Sequence, residues 1–237
     1  MSTILYGAPL SQPTRSVVWF SKLNDIALVE KTVAINKGEQ RSDEFKKMNP
    51  NMKIPVLNDD GFVLFESVAI AKYLHQKHEN TINDQWFPKE IKQRALINSY
   101  LDWHHNHFRP RIATCAFAVI GPMLFKTKPL TDDKVQETKR AAFKAIKDLE
   151  EQWLKDGKFI ADQNAPSLAD LFAYGELIQL SFVFGNKEIQ LGSSAALNDY
   201  PKVKKWCSKM EELPHYGEVH NFLSKFIFKT FSQQSKL

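Results

Sequence analysis

The feature that most constrains this chain is a change of hydrophobic period near residue 90. Before it, short β-branched runs alternate with short helical stretches. After it, apolar residues recur at helical spacing almost to the C-terminus. In the first part, Thr3–Tyr6 reads as a strand, residues 14–23 as an amphipathic helix behind Pro13, and residues 28–35 as a second strand. Residues 42–48 form a short helix started by Ser42-Asp43. Residues 55–58 and 62–65 read as strands joined by Asp59-Asp60-Gly61, and Ser67–His75 as a helix with Val68, Ile70, Ala71 and Leu74 on its apolar side. The order is βαβ followed by ββα, the thioredoxin-like arrangement.

The second part reads as helices throughout. Lys92–Phe125 is one long helix bent near Pro110, and Thr131–Asp156 is another, stopped by Gly157. Ser167–Phe184, Pro201–Glu212 and Tyr216–Phe231 follow. The fold class expected is therefore an α+β N-terminal thioredoxin-like domain followed by an all-α helical-bundle domain. The boundaries expected are 1–78 for the first, 79–90 for a polar linker and 91–237 for the second.

Composition narrows the function. Hydrophobic residues make 43% of the 237 and charged residues 25%, which suits a globular chain with ample core. The net charge of +5 is spread out with no block of like charges, so no nucleic-acid partner is expected. The N-terminus reads as lacking a signal peptide. Ile112–Phe125 is read as a core helix too short for a membrane span. Cys115 and Cys207 fit neither a redox pair nor a metal spacing, which points to a reducing compartment. His104, His105 and His107 put at most two rings on one helix face, and no metal is expected. The chain ends Ser235-Lys236-Leu237, the peroxisomal address. The localisation read from it is the peroxisome with the cytosol as an additional compartment, and an import receptor is an expected partner.

Candidate chemistry gathers in the first part. Ser11 stands where the first strand turns into a helix, a favoured cap position. Ile54-Pro55 opens a strand, where a cis bond would expose the backbone of residue 54. Glu66-Ser67 begins a helix, and free amides at such an end also suit an anion. Gln40 and Lys53 flank the same edge, and either also fits plain surface. Arg109 reads equally as a cleft residue or as a surface arginine beside Pro110. Ser167-x-x-Asp170 has the spacing of a capping box.

Taken in order, these segments resemble the glutathione transferases, and within them the theta class. The resembling residues are Leu5-Tyr6, Ser11-Gln12-Pro13-Thr14-Arg15, Lys37-Gly38-Glu39-Gln40, Asn49-Pro50, Lys53 to Leu57, Glu66 to Ile70 with Tyr73-Leu74, Leu101 to His105, and Ser167 to Leu171. The terminal tripeptide resembles the tail of plant theta enzymes. The resemblance implies glutathione as co-substrate, no permanently bound cofactor, and a homodimer. It implies that the Ser11 hydroxyl donates to the glutathione sulfur and that Gln40 and Lys53 hold the glycyl carboxylate. Ile54 would pair its backbone with the cysteinyl part, and Glu66 and Ser67 would hold the γ-glutamyl end. Gln40 stands where animal theta enzymes often carry a histidine. The acceptor, a small hydrophobic electrophile or an organic hydroperoxide, would enter from the helical domain, with Arg109 at its leaving group. Tyr6, a donor in other classes, is assigned to packing, and the helix with Phe222, Phe226 and Phe228 to core packing before a lid. A non-catalytic carrier or scaffold on the same fold is the alternative.

Overall fold

Four short strands form the sheet on which the site is built. The computed structural model describes residues 2–184 and 190–234, with side chains described to residue 226. Ser235-Lys236-Leu237 and the side chain of Phe228 lie outside the described residues. Strands β1 (Thr3–Gly7), β2 (Val29–Thr32), β3 (Val56–Asp59) and β4 (Phe62–Phe65) lie in the order β2-β1-β3-β4. β1 runs parallel to β2, and β3 runs antiparallel to both β1 and β4. The crossover helix is α1 (Gln12–Leu23); α2 (Asp43–Met48) and α3 (Ser67–Lys77) complete this part. The expected second strand is cut to four residues. Ile35–Lys37 and Glu39–Arg41 wind into 3-10 turns around Gly38, whose φ of 79° most side chains resist. β2 exposes all four of its side chains and carries Glu30 and Lys31, charges that suit an unpaired sheet edge.

The helical part comprises α4 (Ile91–Trp103), α5 (Arg109–Phe125), α6 (Asp132–Asp148), α7 (Leu168–Leu177), the short α8 (Ser181–Phe184), α9 (Pro201–Glu211) and α10 (Tyr216–Gln234). One correction concerns the long helix. Its irregularity is a π-turn over His104–Phe108, where the Arg109 amide donates to the His104 carbonyl. Pro110 sits just after it at the start of α5 and has no amide to lose, so the ladder loosens in the turn before the proline. The run Ile91–Phe125 is the long helix expected over Lys92–Phe125, begun one residue earlier. By length and composition it passes for a membrane span, yet Ile97, Tyr100, Leu101, Phe108 and Ile112 are buried in the core.

Helix α1 departs from its amphipathic expectation. Residues 12–21 are all buried, because α7, α3 and α10 pack against α1. Some polar side chains of α1 are met from the helical part, while Gln12 Nε2, Thr14 Oγ1 and Arg15 Nε are buried without a partner among the described residues. Ser16 Oγ donates to the Leu171 carbonyl at 3.1 Å, and the Arg15 guanidinium donates to Pro9 O and Gln179 Oε1, each at 2.9 Å. The contact depends on Gly175: a Cβ there would stand 2.4 Å from Ser16 Oγ. Gly175→Ala is expected to destabilise the chain by about 1–3 kcal/mol, since a tight helix contact does not absorb a methyl group. A shift in the urea midpoint with an unchanged m-value checks it.

Candidate active site

A cleft opens between the sheet edge and α5. Its larger part holds about 620 Å3 and is lined by Lys53, Ile54, Glu66 and Ser67 on one side and by His105, Arg109, Ala113 and Phe117 on the other. A smaller part of about 220 Å3 is lined by Ser11, Gln40, Lys53, Ile54 and Arg109. Pro13, Lys53, Ile54, Arg109 and Phe117 line both. Every site residue read from the sequence therefore borders this one cleft. The helical wall is mixed: Pro110, Ala113, Phe117, Ala118 and Pro122 give it an apolar stretch beside His105, Arg109 and Thr114, while the sheet wall presents Lys53, Glu66 and Ser67.

Ser11 is the N-cap of α1. Its Oγ accepts from the Thr14 amide at 3.4 Å. Cap and donor do not compete: the cap uses an oxygen lone pair and leaves the hydroxyl proton to donate. The Ile54–Pro55 peptide is cis. Asn49, buried and bordering the cleft, fixes this loop. Its Nδ2 donates to the Lys53 carbonyl at 2.8 Å and its Oδ1 accepts from the Asn51 amide at 3.0 Å. The position of Asn49 beside Pro50 gave no sign of that clasp.

At α3 the cap lies one residue earlier than a serine cap would put it. Glu66 is the N-cap, with φ 71° and no side-chain cap bond, and Ser67 is the first helical residue. A glutamate at positive φ is strained, and such strain recurs where a backbone clamps a ligand. Ser67, 6% exposed, is thus released from capping and presents its hydroxyl beside the free amides of the helix start. Gln40 lies on the 3-10 turn Glu39–Arg41 and keeps its Oε1 buried without a partner among the described residues.

Arg109 belongs to the cleft and not to the surface. It forms an ion pair with Glu176 of α7, a carboxylate only 2% exposed. Burial holds the Arg109 pKa below its usual value, and Glu66 opposes that fall. Glu176 was missed in the sequence, where it is one more residue of an apolar helix. Its Oε2 is buried with no partner among the described residues. The π-turn sets Arg109 and His105 on the cleft side together. Burial and the Arg109 charge hold His104 and His105 below the usual imidazole value, so both are neutral near pH 7.

The family models for the glutathione S-transferase N-terminal domain and C-terminal domain match residues 1–76 and 108–214. Arabidopsis thaliana glutathione S-transferase T1 is 36% identical over 229 residues, which are 95% of this chain and 90% of that protein. The chain belongs to the glutathione transferases. Rattus norvegicus glutathione S-transferase theta-2 is 38% identical over 76% of this chain and 72% of its own. The human theta-class enzyme solved with the glutathione conjugate of 1-menaphthyl sulfate superposes with a TM-score of 0.85 at 28% identity, covering 99% of this chain and 92% of that one. The theta class and the transferase fold expected from the sequence both stand.

In this transferase, Tyr6 packs against the small cluster of Val33, Phe45 and Val56 and carries Lys31 Nζ 5.4 Å over its ring; it does not line the cleft. Cys115 and Cys207 are buried thiols raised by burial, unsuited to nucleophilic work. Phe222 is 42% exposed and borders a separate crevice beside Arg15 and Lys22, away from the cleft. Phe226 packs edge-on against Phe182, with centroids 5.9 Å apart.

Proposed function

We propose that this theta-class transferase activates glutathione through the Ser11 hydroxyl and passes the thiolate to acceptors bound against α5. The observation that carries the reading is the meeting of Ser11, Gln40, Lys53, Ile54, Glu66 and Ser67 on one side of a cleft whose other side offers an apolar stretch, Pro110, Ala113, Phe117 and Ala118, next to Arg109. A free thiol with a pKa near ~8.5 is only a few per cent thiolate at neutral pH. Each unit of lowering needs about 1.4 kcal/mol of preference for the anion. One hydrogen bond to a charged acceptor supplies roughly 1.5–3 kcal/mol, and the start of α1 adds up to about 1. Lys53 and Gln40 take the glycyl carboxylate, the Ile54 backbone takes the cysteinyl amide, and Glu66 with Ser67 takes the γ-glutamyl end. No cofactor is needed for this step.

Arg109 stands between the polar and apolar parts of the cleft, where a leaving group would emerge. The thiolate forms its S–C bond as the leaving group departs with the electron pair, and the guanidinium stabilises the charge released. With a hydroperoxide the thiolate attacks the O–O bond. The first products are the sulfenic derivative of glutathione and an alkoxide, which takes a proton to leave as alcohol. A second glutathione then gives the disulfide and water. Arg109→Ala is expected to lower kcat for acceptors with charged leaving groups about 10–100-fold, and Glu176→Gln less, with the glutathione KM changed little. Steady-state assays with glutathione varied against an alkyl halide, a sulfate ester and cumene hydroperoxide test the whole reading. Inertness with all three, while glutathione still binds, favours the carrier.

Phe62, Ile91 and Leu96 are exposed apolar side chains, each of a kind that a second copy covers in a homodimer. The terminal Ser235-Lys236-Leu237 supports peroxisomal import, a compartment suited to peroxide reduction. A fluorescent fusion with a free C-terminus is expected in peroxisomes, and deletion of the tripeptide is expected to return it to the cytosol.

A further inference from the structure

The chain enters Ser11 through a four-residue turn, residues 8–11. The Ser11 amide donates to the Ala8 carbonyl at 2.9 Å, and Pro9 brings the fixed φ that suits the second position of such a turn. The Ser11 carbonyl accepts from the Arg15 amide at 3.1 Å, in the first turn of α1. Two carbonyls remain, those of Pro9 and Leu10 at the centre of the turn, and no backbone amide among the described residues donates to either. Side chains take them instead. The Arg15 guanidinium donates to Pro9 O at 2.9 Å, and Gln179 Nε2 donates to Leu10 O at 3.3 Å.

Gln179 lies in the 3-10 turn Ile178–Leu180 that follows α7, so this bond comes from the helical part, 169 positions along the chain. Gln179 and Arg15 are each 2% exposed and are bonded to one another: Gln179 Oε1 accepts from Arg15 Nη2 at 2.9 Å, and the same nitrogen reaches the Gly175 carbonyl at 3.4 Å. The glutamine amide fits only one way round. A guanidinium only donates and a carbonyl only accepts, so the amide oxygen faces Arg15 and its nitrogen faces Leu10. The bonds close a ring from Pro9 through Arg15 and Gln179 back to Leu10. Gln179 also borders the smaller part of the cleft together with Leu10 and Ser11. The turn sets where the Ser11 side chain starts, and a hydrogen bond weakens steeply once its angle or length is wrong. Holding the two central carbonyls therefore holds the hydroxyl.

We propose that Gln179 is a positioning residue for the thiolate step: through Arg15 and the Leu10 carbonyl it fixes the turn that carries Ser11, and so sets the Ser11 hydroxyl against the glutathione sulfur. The inference rests on the reading of Ser11 as the donor to the thiol. It gives the helical part a share in activating glutathione, beside its share in holding the acceptor.

The test is a double-mutant cycle on the full-length enzyme, read by the pKa of the bound glutathione thiol from thiolate absorbance. Gln179→Leu has a similar size but neither accepts from Arg15 nor donates to Leu10. It is expected to raise the thiol pKa by about 0.5–1 unit and, at a pH below that pKa, to lower kcat about 3–10-fold, the matching loss of thiolate. Glutathione affinity, by isothermal titration, stays within about twofold. In the Ser11→Ala background the same substitution moves the thiol pKa no further. Gln179→Asn keeps the amide but is one methylene too short to reach both partners; the same rise is expected, and it guards against a leucine variant that fails to fold. A loss of stability with the thiol pKa unmoved in either folded Gln179 variant would overturn the proposal, as would an equal rise in the Ser11→Ala background. If Ser11→Ala itself leaves the thiol pKa where it was, the reading of Ser11 falls, and this inference with it.

Discussion

Replacing Ser11 by alanine is expected to lower kcat about 10–100-fold while the glutathione KM moves little. The magnitude follows from one hydrogen bond to a charged acceptor, roughly 1.5–3 kcal/mol, present when the sulfur is ionised and largely idle when it is a thiol. The polar wall of Gln40, Lys53, Glu66 and Ser67 is untouched, so binding survives. Alanine also removes the cap on α1, where Ser11 accepts from the Thr14 amide, at about 1 kcal/mol of stability. Ser11→Thr separates the two effects: threonine keeps a capping oxygen and a hydroxyl and restores part of the rate. Equal activity of Ser11→Ala and the unmodified enzyme would reduce Ser11 to a cap. The donor would then have to be sought elsewhere, and Tyr6 would need to leave the packing it makes with Val33 and Val56.

The second large effect is on stability, at Asp170→Ala. This carboxylate is fully buried at the start of α7 and accepts from the Ile160 amide at 2.9 Å, the Ser167 amide at 2.8 Å, Ser167 Oγ at 3.0 Å and Trp206 Nε1 at 2.9 Å. Its capping-box role is the smaller part of what it does. Removing it leaves several buried donors unmet, at about 3–5 kcal/mol, a large share of the 5–15 kcal/mol that holds a typical protein together. The pH dependence has a definite sign. Burial pushes the Asp170 pKa up to about 6, against 3.8 for the exposed group, although four hydrogen bonds pull it down. Between those values the folded state holds more protons than the unfolded state, so this residue's contribution to stability falls as pH rises from about 4 to about 6 and is flat above. Denaturant midpoints across pH 4–7 are expected to show that slope in the unmodified protein and its absence in Asp170→Asn.

The site was legible wherever a local rule and a chemical role coincide. Ser11 and the Ile54-Pro55 bond mark themselves by capping and by proline, and Glu66-Ser67 marks a helix start. Gln40 and Lys53 became readable only through the ordered resemblance, because a glutamine and a lysine on an edge carry no signal of their own. Residues that act across the fold were silent. Glu176 gains meaning only when α7 places it under Arg109, 67 positions away in the chain. Asn49 clasps a loop through bonds that spacing does not announce. The amphipathic reading of α1 failed because α3, α7 and α10 cover it, and α7 meets Ser16, partners no window of the sequence includes. The strand after Leu28 was overread because β-branched Val33 and Ile35 favour strands, while the turns around Gly38 take the chain away.

The most direct test of the central claim is the pKa of the glutathione thiol in its complex with the enzyme, read from thiolate absorbance in a pH titration, beside the same titration of Ser11→Ala. A pKa lowered by about 1–2 units from ~8.5 in the unmodified enzyme, and returned most of the way in the variant, is the predicted result. A thiol that titrates at its free value in the unmodified enzyme, or equally low in both proteins, would contradict the assignment of Ser11 as the donor that makes the thiolate.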